Sequence, residues 1–277
     1  IALGTNAMVV NTTGGNNVAI GMNTLDANTT GNYNTAIGGQ ALTASTTASE
    51  NVAIGYQCMD SLTTGHNNVA VGMKAMDDAT TAVGNIAIGR YALADITDAT
   101  GCTAVGAYDG AAQPALRVNT GSKNTAVGSG ALSSNTTAGF NSAVGYMALN
   151  ANTTGQLNNA FGYQALRLNT TGGNNTAVGH QALYSNTTAD NNTAMGYDAL
   201  EDNIGANNTA IGALALKDNT TASNNVAIGY QALSANTTGT RNTAVGTNVL
   251  DNVTTGDDNT AIGFEALTQC SGSDNTA

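Results

Sequence analysis

The residues that could perform chemistry in this 277-residue chain are few, and they form no catalytic or metal-binding pattern. Nucleophilic catalysis needs a nucleophile, a base and an orienting group side by side. The only histidines, His66 and His180, stand far apart in the sequence, and we expect both to face solvent. The three cysteines, Cys58, Cys102 and Cys270, lack the spacing of a zinc site or a disulfide framework. We therefore expect no catalytic residue, no metal and no cofactor, and we interpret the cysteines as buried or loop thiols.

Carboxylates are the other group that could act, because a pair of them can hydrolyse a glycosidic bond. They gather at similar points of the repeat described below: Asp26, Asp60, Asp77, Asp78, Asp95, Glu201, Asp202, Asp218 and Asp251. Their number varies irregularly between repeats, which favours a solvated edge over a cleavage site. The Gly-Gly-x-Gly-x-Asp pattern of calcium-binding β-rolls is absent.

Composition and charge exclude several classes of function. The formal net charge is −11, and the seven Lys and Arg residues are spread singly without forming a patch. Binding to nucleic acid or to an anionic membrane needs clustered positive charge, so neither is expected. No apolar run approaches the roughly 18 residues of a membrane span. The chain begins at Ile1 and ends inside the opening of another repeat, so we expect it to be a section of a longer protein.

The dominant feature of the sequence is a short repeat in which Ala, a bulky apolar residue and Gly follow one another. It occurs at Gly4, Gly21, Gly38, Gly55, Gly72, Gly89, Gly106, Gly128, Gly145, Gly162, Gly179, Gly196, Gly212, Gly229, Gly246 and Gly263. Successive glycines are 17 residues apart, except for one interval of 22 and one of 16. A fixed short period is typical of a solenoid. We predict an all-β parallel β-solenoid of about sixteen coils, forming one domain over residues 1–277.

The repeat is described here by counting from its glycine, which is position 0. Position −1 always carries a bulky apolar residue and position −3 mostly Val, Ile or Thr, which suit a strand, and position −2 is always Ala. Side chains alternate along a strand, so −3 and −1 share one face and Ala takes the other. Position +4 is Leu or Met in nearly every repeat. We predict a bend at the glycine that places positions −1 and +4, and with them the Thr or Val at −3, inside the coil.

Asparagine recurs at position −4, and Cys102 is its exception. Coils of a solenoid stack about 4.8 Å apart. Stacked amides can hydrogen-bond along the stack, so we predict an asparagine ladder. A second run near position +7, Asn-Thr-Thr followed by Gly or Ala, has the residues of a return turn.

The Ala and Gly at positions −2 and 0 form a stripe of small residues, which would permit close approach of another backbone. Each coil has only about two large apolar side chains, a thin core for a single chain. We therefore predict that copies of the chain pack this stripe around a shared axis, since closed cyclic symmetry is the usual outcome of self-association.

The segments Asn17–Gly21, Asn51–Gly55, Asn68–Gly72 and Asn225–Gly229 resemble the head repeats of YadA-like trimeric autotransporter adhesins. The longer pattern NVAIGYQALSANTTG, residues 225–239, is also similar to repeats in tail fibres of bacteriophages, marine ones especially. The resemblance covers essentially the whole chain. It implies a left-handed parallel β-roll that assembles as a homotrimer outside a cell or on a virion.

Two features could contact a receptor. The 22-residue interval contains an inserted bulge, residues 107–114, and insertions in solenoids often form binding loops. Its possible receptor contacts are Tyr108, Asp109 and Gln113, although a merely tolerated insertion explains it too. Tyr also recurs at position +1 (Tyr56, Tyr146, Tyr163, Tyr197 and Tyr230), either as a ladder that stiffens the coil edge or as a surface for sugars.

Three functions remain open at this point. The leading hypothesis is a non-catalytic extracellular fibre or adhesin section that displays or spaces a receptor-binding end, with copies of itself and a host surface glycan or protein as partners. An ice-binding solenoid is the second, because flat Thr arrays bind ice, but the predicted inward direction of the −3 column argues against it. A glycan-binding or glycan-cleaving tailspike is the third.

Overall fold

The computed structural model describes residues 1–268 and 272–277, so Cys270 lies outside the described residues. The fold is an all-β parallel β-solenoid, as predicted, with one short strand in each coil and no helix among the described residues. The chain divides into two compact units, unit 1 at residues 1–140 and unit 2 at residues 141–277.

The strands of each unit follow one another in sequence order. Unit 1 contains β1 Ala2–Leu3, β2 Val18–Ile20, β3 Thr35–Ile37, β4 Val52–Ile54, β5 Val69–Val71, β6 Ile86–Ile88, β7 Thr103–Val105 and β8 Thr125–Val127. Unit 2 contains β9 Ser142–Val144, β10 Asn159–Phe161, β11 Thr176–Val178, β12 Thr193–Met195, β13 Thr209–Ile211, β14 Val226–Ile228, β15 Thr243–Val245 and β16 Thr260–Ile262.

Neighbouring strands within a unit pair in parallel and in strict register. In β3 and β4, for example, Ala36 stands opposite Ala53 and Ile37 opposite Ile54. The shift of one repeat between paired residues places each position of the repeat on its own equivalent. The side chains at any one position of the repeat therefore form a column along the unit.

The two faces of the strands are the reverse of our prediction. Ala53 at position −2 is fully buried, whereas Ile54 at position −1 is 37% exposed. The other strands repeat this pattern, with a buried Ala between two outward side chains, except at the first strand of unit 1. The prediction that positions −1 and −3 point inward was wrong. The Ala methyl group therefore faces the lumen, opposite a second wall of the coil, and the larger side chains face outward.

That opposite wall is built by positions +3 and +4, where Ala41 and Leu42 are fully buried. The predicted inward direction of position +4 is thus confirmed. The chain reaches it through left-handed backbone at Gln40 (φ 61°) and Leu42 (φ 53°). Left-handed backbone costs roughly 1–2 kcal/mol per residue. Burial of the Leu side chain offsets this by about 1.5–3 kcal/mol, and the Leu42 N–H donates to the Cys58 carbonyl at 3.0 Å.

The glycine at position 0 is required by contact between coils, not by an outside partner. Gly38 has φ +130°, and a Cβ on it would lie 2.6 Å from the carbonyl carbon of Gly55 in the next coil. The Ala at position −2 lies inside the lumen. The predicted exposed Ala–Gly stripe at an assembly axis is therefore wrong, because both residue types are used within the solenoid.

The asparagines at position −4 form the predicted ladder, with the main chain as their chief partner. The Asn68 N–H donates to Asn51 Oδ1 at 3.0 Å. Asn51 Nδ2 donates to the carbonyl of Gly65 at 3.0 Å. Each amide thus satisfies two buried main-chain groups of the neighbouring turn, and an unsatisfied group of this kind costs about 1–3 kcal/mol.

A second asparagine ladder, which we did not predict, follows position +7. Asn169 Nδ2 donates to Asn152 Oδ1 at 2.9 Å, and Asn186 Nδ2 donates to Asn169 Oδ1 at the same distance. These side chains are fully buried. The Asn-Thr-Thr run is therefore the return turn, as predicted, and also one wall of the core.

The contact between glycines predicts that Ala substitution destabilises the protein at position 0 but not at the neighbouring glycine. Gly38→Ala should lower the free energy of unfolding by more than about 3 kcal/mol, because the new Cβ meets main chain and the backbone has positive φ. Gly39→Ala should change it by less than about 1 kcal/mol, since its nearest neighbour would be a Tyr56 ring carbon at 3.6 Å. Urea unfolding followed by circular dichroism measures both, and equal losses would contradict the proposed role of position 0.

Candidate functional site

The insertion at residues 107–114 leaves the coil that carries it intact. Eight residues separate Gly106 from Ala115, where an ordinary coil has two. The Ala115 N–H nevertheless donates to the Gly106 carbonyl at 3.3 Å, and the Leu116 N–H donates to the Ala131 carbonyl at 3.0 Å. Both bonds have equivalents in ordinary coils, so the inserted residues form a loop on an otherwise regular wall.

The return turn of the same coil is one residue shorter than usual. Asn28 Nδ2 donates to the carbonyl three residues later, whereas Asn119 Nδ2 donates to Gly121, two residues later, at 2.6 Å. Asn203, in the 16-residue interval, makes the same short contact with Gly205 at 2.8 Å. The 22-residue interval is therefore a six-residue insertion combined with the one-residue deletion that also produces the 16-residue interval.

Asp109 holds the inserted loop together. Its Oδ1 accepts hydrogen bonds from the N–H groups of Ala111 at 2.8 Å and Ala112 at 2.7 Å. These bonds stabilise the charged carboxylate and lower the pKa of Asp109. Of the three predicted receptor contacts, Asp109 thus acts within the loop itself.

The other two predicted contacts line a concavity of about 300 Å³ beside the loop. Its lining residues are Arg90, Tyr91, Tyr108, Gln113, Pro114 and Arg117. Tyr108 and Gln113 come from the insertion, Arg90 and Tyr91 come from the preceding coil, and Arg117 lies beyond the loop. Two of the seven basic residues, which are spread singly along the sequence, thus line the same concavity.

The two arginines of this concavity have different surroundings. Arg117 Nε pairs with Asp95 Oδ2 at 3.2 Å, and its Nη1 donates to Gln113 Oε1 at 2.8 Å. Arg90 is exposed, and its guanidinium carbon lies 5.0 Å from the ring centre of Tyr91 and 5.9 Å from that of Tyr108. Arg117 is thus held by a carboxylate and an amide, while Arg90 is held over aromatic rings.

Unit 2 contains a stack of four rings at position +1. The ring centres of Tyr146 and Tyr163 are 5.6 Å apart, and His180 lies 5.1 Å from both Tyr163 and Tyr197. Stacked rings cover each other's faces, which a sugar would need. This supports the interpretation of the tyrosines as a stiffening ladder. His66 is exposed as predicted, whereas His180 is half-buried within the stack.

The carboxylates predicted to follow one edge are partly paired with lysine. Asp77 lies 3.3 Å from Lys74 Nζ, and Glu201 lies 3.6 Å from Lys217 Nζ. Burial raises the pKa of Asp77 and of Glu201. The described residues contain no group of three or more His, Cys, Asp or Glu side chains that could hold a metal ion.

The comparisons with known proteins give no relative on which to build. No protein-family model, no curated protein and no solved structure matches the chain. Among the described residues, no helix is long and apolar enough to cross a membrane.

The two described cysteines are buried thiols, as predicted, and should not react in the native protein. Desolvation by burial raises the pKa of Cys58 to about 12 and also raises that of Cys102. At pH 8 only a very small fraction of Cys58 is then thiolate, whereas about a quarter of an ordinary thiol is ionised. With Cys270→Ser in the background, we expect iodoacetamide to modify neither thiol until the protein is denatured. Mass spectrometry reads the result, and rapid native modification of Cys58 would contradict the buried placement.

Proposed function

We propose that this chain is a non-catalytic section of an extracellular fibre or adhesin, which associates with copies of itself through the outward face of its strands. The observation that carries the proposal is the column of exposed and half-buried apolar side chains that position −1 turns outward in each unit. Tightly packed proteins seldom leave a long contiguous apolar surface uncovered unless it binds something.

The outward face combines two columns. Position −1 contributes Ile, Val, Phe or Met, and Ile88, Phe161 and Met195 are each about 40% exposed. Position −3 contributes mainly Thr or Val, which are mostly half-buried. Both columns repeat at every coil, so within a unit the face is regular and free of charged side chains, with an apolar column at position −1 beside a column at position −3 that is mainly Thr or Val.

A second copy of the same chain is the partner that this regularity favours. The columns repeat about every 4.8 Å. A partner that packs against many consecutive coils must present its own side chains at the same interval. Another copy of this chain does so without further adaptation. Covering the exposed part of one Ile contributes about 1 kcal/mol, and a similar contribution comes from each exposed side chain at position −1, such as Ile20, Ile54 and Ile88 in unit 1.

The remaining details of the proposal rest on the resemblance of the repeats to trimeric adhesin heads and phage tail fibres. On that basis we propose a homotrimer of left-handed solenoids, located outside a cell or on a virion. The outward apolar columns, not the Ala–Gly stripe, then face the shared axis.

Ice binding is the second candidate, because the outward direction of position −3 removes the main objection to it. In unit 2 the outward column includes Thr176, Thr193, Thr209, Thr243 and Thr260. Thr and β-branched residues at a fixed spacing on a flat face are the surface that an ice-binding solenoid needs. Measurable thermal hysteresis by a monomeric protein would favour this function over the fibre.

The proposed assembly predicts that a charge placed on the outward face of the strand dissociates the protein, whereas the same charge just beyond the glycine does not. Sedimentation equilibrium of the wild-type chain should give three times the mass of 27.5 kDa. Ile54→Glu should reduce the association constant at least tenfold, because it buries a charge in the apolar face. Tyr56→Glu introduces the same charge at a residue that is 50% exposed but lies off the strand, and should leave the mass unchanged.

A wild-type chain that stays monomeric at about 100 μM would contradict the proposed assembly. Equal dissociation by both variants would place the interface elsewhere. Either outcome would leave the β-solenoid fold itself untouched.

A further inference from the structure

The concavity beside the inserted loop combines cationic and aromatic side chains in a strongly acidic chain. We propose that it binds an acidic saccharide, with a carboxylate or sulfate group of the sugar held by Arg90 and its hydroxyl groups oriented by Arg117 and Gln113. All of its lining residues belong to unit 1. The site is thus complete within one chain and does not depend on the assembly proposed above.

Arg90 supplies the charge that attracts the anion. No carboxylate of the described residues lies within ion-pairing distance of its guanidinium, although the chain has eighteen acidic residues. Its contacts are instead with the rings of Tyr91 and Tyr108. A guanidinium that stacks on rings keeps its N–H groups in the plane of the fork, where they can donate to two oxygens of one anion.

Arg117 and Gln113 supply orientation. The Asp95 carboxylate largely neutralises Arg117 and fixes its Nε. Gln113 Oε1 accepts from Nη1 of the same guanidinium, which holds the end of the inserted loop against the coil wall. The other N–H groups of Arg117 and the amide N–H₂ of Gln113 can donate hydrogen bonds to the hydroxyl groups that accompany an acidic group on a sugar ring.

Tyr108 and the volume of the concavity favour a sugar over a simple anion. The Tyr108 side chain is 41% exposed at the rim, and an aromatic ring offers an apolar body for the C–H face of a sugar with a polar tip in water. The volume of about 300 Å³ is at the lower end of small-molecule sites. It accommodates one or two sugar rings at the end of a longer glycan.

Calorimetric titration of the full chain tests the proposal with three tetrasaccharide probes. Tetragalacturonate carries carboxylates, a heparin-derived tetrasaccharide carries mainly sulfates, and cellotetraose is neutral. We expect at least one acidic probe to bind and cellotetraose not to bind. The acidic probe that binds more tightly identifies carboxylate or sulfate as the preferred group.

Variants then place the binding in the concavity. R90Q should weaken binding of the acidic probe roughly tenfold or more, and R90K should restore part of it because it keeps the charge. R167Q is the matched control, since Arg167 also lies over a tyrosine, Tyr184, at 5.7 Å but does not line the concavity. Circular dichroism of each variant confirms that the solenoid is retained.

Three outcomes would overturn the inference: no binding of either acidic probe at about 10 mM, equal binding of cellotetraose, or equal weakening by R90Q and R167Q. The native mass of the chain is a separate readout. A monomer that binds acidic sugar would end the fibre proposal and leave this site standing, whereas a trimer that does not bind would do the reverse.

Discussion

The contact between successive glycines at position 0 is the constraint on which the rest of the solenoid depends. Within each unit these glycines lie so close to the carbonyl group of the glycine one coil on that an added Cβ would overlap it, as at Gly38 and Gly179, and their φ is positive. This contact sets the stacking of the coils, so every other position must stack on its own equivalent. Asparagine, leucine and alanine columns follow from that repetition, and so does the outward apolar face.

The period, the strands, the asparagine ladder and the return turn could be predicted from the sequence because each follows from residue type and spacing. The direction of the faces could not. Alternation shows that Ile54 and Ala53 point to opposite sides, but not which side is the lumen. Bulky apolar residues usually point inward, and here the lumen is already filled by Leu42 and its equivalents. Their left-handed backbone, which brings them there, has no signature in the sequence for leucine.

The candidate site was predictable only in part, for a related reason. The long interval between Gly106 and Gly128 locates the insertion, and Tyr108 and Gln113 lie on it. Arg90 and Arg117 stand at different positions of their repeats, so they look isolated in the sequence. The stacking of coils brings both to the concavity. Asp109 was predicted to contact a receptor, but its carboxylate accepts hydrogen bonds from main-chain N–H groups within the loop.

The central claim is that the outward apolar columns are covered in the native assembly. Hydroxyl-radical footprinting tests this most directly, because the chain offers matched residues on and off the columns. Phe161 and Met195 lie on them and are 40% and 41% exposed in the single chain, while Phe140 and Met22 lie off them and are each 54% exposed. The account predicts that Phe161 and Met195 are oxidised several-fold more slowly than Phe140 and Met22. Oxidation of both pairs at rates proportional to these exposures would contradict it.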